Sequence, residues 1–97
     1  MTVLVTGAQG YIGRYAVAAL LKSGHRVTGT GRSMRADGTF THTLGDAGSP
    51  RRVPLPEELH RTIEGSKHYN YRQCDLADAE QAAAMVAEVA PTHVLHL

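Results

Sequence analysis

Apolar and polar positions change period several times along the chain. Thr2–Thr6 is a short β-branched run closed by Gly7, the pattern of a strand buried on both faces. From Ile12 the apolar positions shift to helical spacing. Ile12, Tyr15, Ala16, Ala19 and Leu20 mark the expected buried face, Lys22 lies in the last turn, and Gly24 stands where a helix stops. His25–Thr30 returns to strand character. The stretch from Ser33 to Lys67 then carries Gly38, Gly45, Gly48, Pro50, Pro54 and Pro56 with few large apolar residues. It reads as a long surface connection holding one short helix, Pro56–Glu64, with Pro56 near its first turn and Gly65 as its stop. Tyr69–Cys74 is a third strand. Asp78 caps a second long helix with Gln81 as its capping-box partner. Ala82, Met85, Val86 and Val89 line one face of that helix, Pro91 ends it, and Thr92–Leu97 is a fourth strand.

Strands that alternate with crossovers pair in parallel and are covered by helices. The order predicts an α/β chain: the N-terminal half of a Rossmann doubly wound parallel sheet, strand order 3-2-1-4. On this reading residues 1–97 are a partial dinucleotide-binding domain.

The first strand-to-helix turn carries the clearest chemistry. Gly7, Gly10 and Gly13 stand at even spacing within "VLVTGAQGYIGRY". The amides of a first helical turn have no partners within the helix and lie at the positive end of its dipole. A diphosphate fits there if no side chain blocks it. Gly7 permits the tight turn, Gly10 lets the backbone approach the phosphates, and Gly13 lets the helix pack closely. The amides of Tyr11 and Ile12 are the expected donors.

Composition narrows the function classes. A 97-residue chain has room for one small core, burying roughly 60–70% of its unfolded surface. A net charge of +1 offers no general attraction to nucleic acid or an anionic membrane. No apolar run approaches the roughly 18 residues needed to span a bilayer, and the first residues lack the basic segment of a secretory signal. Cys74 is the single cysteine, which suits a reducing, cytoplasmic setting. The histidines are scattered, and His93 and His96 fall on opposite sides of a strand, so no metal site is expected.

The segment "TGAQGYIG" resembles the extended short-chain dehydrogenase/reductase family, specifically its NAD(P)-dependent epimerase/dehydratase group acting on nucleotide sugars. That resemblance implies a nicotinamide dinucleotide as cofactor and a nucleotide sugar or other small molecule as substrate. After the second strand comes Gly31-Arg32-Ser33, where an NAD-binding chain carries an acidic residue. Arg32 lies 19 positions after Gly13, and no Asp or Glu precedes Asp37. A guanidinium there accommodates a 2′-phosphate, with Ser33 as a second donor, so NADP is expected over NAD. The resemblance also implies that Asp75 accepts from the adenine amino group and that Leu76 packs on its ring. The polar connection and the Asp-Leu after the third strand are similar in layout to dehydratases and reductases of GDP-sugars.

The family's catalytic pair is Tyr-x-x-x-Lys, with the tyrosine as acid/base. Four residues beyond Tyr11, Tyr15, Tyr69 and Tyr71 stand Tyr15, Ala19, Gln73 and Asp75, never lysine. No catalytic residue is therefore assigned in this chain, and the catalytic and substrate part is expected outside it. The expected function is the NADP-binding N-terminal segment of an epimerase/dehydratase-type oxidoreductase. The alternatives are a non-catalytic NADP-sensing regulator of the same fold and an inactive fragment. The fourth strand is expected to expose an open edge, leaving the chain marginally stable or self-associating into a homo-oligomer.

Overall fold

The computed structural model describes residues 1–35, 38–44 and 51–97, with 41–44 and 51–52 described by backbone only. Gly45, Gly48 and Pro50, expected in the connection, lie outside the described residues.

The chain runs β1 (Thr2–Thr6), α1 (Tyr11–Lys22), β2 (Arg26–Gly31), β3 (Thr39–Leu44), β4 (Arg51–Pro54), α2 (Glu57–Glu64), β5 (Tyr69–Gln73), α3 (Ala79–Val89) and β6 (His93–Leu95). Four strands form one parallel sheet ordered β5-β2-β1-β6. Counting only these four, the order is 3-2-1-4, the N-terminal half of a Rossmann sheet.

Burial explains the uniform apolar character of β1. Val3 and Val5 join the larger core cluster, and Leu4 faces the opposite side with Cys74 and Met85. A strand covered on both faces has no polar side to display. The larger cluster adds Val17 and Ala18 from α1 and Leu59 and Ile63 from α2. The smaller one includes Met85 of α3, with Val89 packed against it.

Three expectations change. The stretch 33–67 is more than a surface connection with a helix. β3 and β4 pair antiparallel, and Phe40, Leu55, Leu59 and Ile63 are buried in the main core. The buried face of α1 is Gly13, Arg14, Val17 and Ala18, not the face led by Ile12 and Tyr15, which are 68% and 44% exposed. Gly13, on that buried face, sits in tight contact with the preceding turn. Gln81 also departs from the capping-box pattern. Asp78 does cap α3, accepting from the amides of Glu80 and Gln81. Its own amide donates to the Asp75 carbonyl, however, and the Gln81 amide group donates to the Asp78 carboxylate.

Candidate dinucleotide-binding site

The site lies at the C-terminal ends of β1, β2 and β5. Gly7 leaves β1 with φ +62, a left-handed conformation that a side chain disfavours. The Gly10 amide donates back to the Gly7 carbonyl over 3.1 Å, closing the turn. Gly10 is the N-cap of α1, and no side chain caps it. The first turn holds no acidic residue. The amides of Tyr11, Ile12 and Gly13 therefore lack acceptors within the helix, at the positive end of its dipole. A Cβ on Gly13 would overlap the Gly7 carbonyl, so the close approach of helix and turn depends on that glycine.

A cavity of about 350 Å³ opens beside the turn, lined by Gly7, Gln9, Gly10, Gly31, Arg32, Ser33 and Tyr71. A second, also about 350 Å³, shares Gly7, Gly31 and Arg32 with it and adds Cys74, Asp75, Leu76 and Ala77. The two adjoin at Arg32. Its side chain is exposed, and among the described residues no ion pair or hydrogen bond engages the guanidinium. Ser33 is exposed beside it. All nine residues expected to bind the cofactor thus cluster at one end of the sheet. Tyr11 and Ile12 enter by their backbone amides, while their side chains are 57% and 68% exposed.

Asp75 has a structural engagement as well. One carboxylate oxygen accepts from the Ala77 amide at 3.0 Å, shaping the turn before α3. Cys74 is buried against Leu4 and Met85, a small apolar filler of the core.

Sequence reasoning missed Arg14 and Gln9. Arg14 is only 1% exposed, yet its guanidinium donates to the Thr39 carbonyl at 2.9 Å and lies 3.8 Å from Glu64. Arg35 also pairs with Glu64 and stacks over the Tyr69 ring, 5.6 Å from its centroid. This network ties α1 to β3 and α2. Gln9, 3% exposed, donates to the Met34 carbonyl at 3.0 Å. The one available signal was their position: polar residues immediately beside glycines that pack tightly.

The donor set fits a dinucleotide. Uncapped amides suit a diphosphate, an exposed guanidinium suits a further phosphate, and Leu76 offers an apolar surface to a base. The model of the NAD dependent epimerase/dehydratase family matches residues 3–97. The chain belongs to the NAD-dependent epimerase/dehydratase family. It is 34% identical over 97 residues to a UDP-glucose 4-epimerase of Mycolicibacterium smegmatis, a match covering all of this chain and 25% of that protein. Over 32 residues, 33% of this chain and 8% of the relative, it is 69% identical to a chloroplastic divinyl chlorophyllide a 8-vinyl-reductase of Zea mays. A solved UDP-glucose-4-epimerase from Stenotrophomonas maltophila, with bound NAD and formylated UDP-arabinopyranose, superposes with a TM-score of 0.66 at 31% identity. It covers 100% of this family member and 24% of its own chain. The chain spans about a quarter of the length of the epimerases it matches. No described helix is long and apolar enough to cross a membrane.

Proposed function

We propose that this chain is the cofactor-binding part of an NADP-dependent oxidoreductase that epimerises, dehydrates or reduces a nucleotide-linked sugar. The catalytic and substrate-binding residues belong to the remainder of a protein of the relatives' length. Gly7, Gly10 and Gly13 give the diphosphate access to the amides of Tyr11 and Ile12. Arg32 and Ser33 hold the 2′-phosphate, and Asp75 and Leu76 hold the adenine. When bound, the nicotinamide exchanges hydride with the substrate. The residues here orient it and contribute no proton transfer.

The observation that carries the cofactor choice is the exposed Arg32 guanidinium, unpaired among the described residues, where the two cavities meet. An acidic side chain at that point serves a ribose 2′-hydroxyl, whereas an arginine serves a 2′-phosphate. The family is described as NAD dependent, so NADP preference would set this member apart. The substrate class is supported by the two epimerases that match along the whole chain. The shorter, stronger match to a vinyl-reductase favours a second reading, in which the same cofactor site serves reduction of a substrate that is not a sugar. Turnover of UDP-glucose by the whole protein separates the two.

Fluorescence titration of the purified protein with NADPH and NADH tests the cofactor choice. Arg32→Ala is expected to weaken NADPH binding by about 1.5–3 kcal/mol, the range for hydrogen bonds to a charged group, and to leave NADH nearly unchanged. Equal losses for both nucleotides remove the 2′-phosphate role.

A further inference from the structure

Resting on the assignment of Arg32 and Ser33 to a 2′-phosphate, we propose that Tyr71, supported by Gln73, is a positioning residue. It holds the Gly31–Met34 turn in the shape that recognises that phosphate. The turn leaves β2 at Gly31, the last residue of the ladder with β5, and the carbonyl of each of its residues has a donor. The Gly31 carbonyl accepts from the Cys74 amide at 2.8 Å. The Arg32 carbonyl accepts from Gln73 Nε2 at 2.9 Å, and the Ser33 carbonyl accepts from Tyr71 Oη at 2.6 Å. Gln9 Nε2 completes the series on the Met34 carbonyl at 3.0 Å. Three donors belong to β5 and the residue after it, and the fourth comes from the glycine turn.

This arrangement has a consequence for binding. A free surface turn would be ordered only when the ligand arrives, and that entropy would be subtracted from affinity. Here the backbone is already tied down by its carbonyls, while the side chains of Arg32 and Ser33 remain exposed at the cavity. The turn thus presents a prepared donor pair rather than one assembled by the ligand. NADPH carries a 2′-phosphate that NADH lacks, so the benefit falls on NADPH.

β2 is built to admit the clamp. Gly29 pairs with Tyr71 in register, and Gly31 with Gln73. A Cβ on Gly31 would lie 2.9 Å from Tyr71 Oη. The missing methyl is the space the hydroxyl occupies. The Tyr71 ring also packs against the main core. A test must therefore spare the ring and remove only the hydroxyl.

Binding of NADPH and NADH is compared in four proteins. The wild type is expected to prefer NADPH; one that binds neither, or both equally, overturns the 2′-phosphate assignment itself and the clamp with it. Given that preference, Tyr71→Phe is expected to weaken NADPH about five- to tenfold and NADH less than about twofold, from loss of the hydroxyl's bonds to the Ser33 carbonyl and to Gln9. Gly31→Ala displaces the hydroxyl and should lower the same preference. In the Tyr71→Phe background it should have little further effect, because the two changes act on one contact. Equal weakening of both nucleotides, an unmoved preference in Tyr71→Phe, or full additivity of the two substitutions each overturns the positioning role.

Discussion

At the residue scale, two tyrosines on β5 show how burial sets chemistry. Burial pushes the Tyr69 hydroxyl up from 10.0 to about 12, against the opposing pull of the Arg14 and Arg35 guanidiniums. Burial also raises Tyr71, opposed by Arg14 and by its hydrogen bond with Gln9. In both, the folded chain holds the phenolic proton more tightly than the unfolded chain does. For Tyr69 the associated stability is present in full below about pH 10 and is lost as pH climbs toward about 12. For Tyr69 the shift corresponds to about 2–3 kcal/mol. Denaturant midpoints measured from pH 9 upward should fall through this window, and Tyr69→Phe should flatten the fall.

At the element scale, the buried arginine of α1 is the joint between the glycine-turn helix and the elements beside it. Arg14 reaches the Thr39 carbonyl in β3 and Glu64 at the end of α2. Burying a guanidinium is costly unless it is paired and hydrogen-bonded, and removing it strands the groups it served. Arg14→Ala is expected to destabilise the protein by about 3 kcal/mol, the low end for breaking a buried pair because Arg35 still engages Glu64. Denaturant unfolding checks the size. Nucleotide binding by the fraction that remains folded checks that the effect is structural. This joint also shows why the face of α1 was misjudged from its apolar spacing. Arg14 reads as a surface residue until Glu64, far along the chain, is brought beside it. The β3–β4 pair was missed for another reason. Thr39-Phe40-Thr41 alternates as a strand should, but the surrounding glycines and prolines suggested a loop, and the partner strand lies beyond them.

At the scale of the whole molecule, β6 is an edge of the parallel sheet. It pairs with β1 on one side and has no described strand on the other. Val94, Leu95 and Leu97 are exposed there, at 57%, 37% and 47%. An open edge with apolar side chains invites another strand. The 97-residue chain is expected to associate as its concentration rises, seen as a growing mean mass in sedimentation velocity. Val94→Lys should reduce that association. A chain that stays monomeric at high concentration would show that this edge is not adhesive.

The strand–turn–helix that opens the chain, the parallel order of the main sheet and the family were all legible in the amino-acid order. Those features rest on signals a few residues apart: a β-branched run, spaced glycines, a capping aspartate. Tertiary structure alone decided which face of α1 is buried, how the stretch 33–67 folds, and how β5 holds the turn carrying Arg32. Each of these depends on a partner far along the chain. Burial of a charge, pairing of an isolated strand and satisfaction of a turn's carbonyls are settled only when that partner arrives.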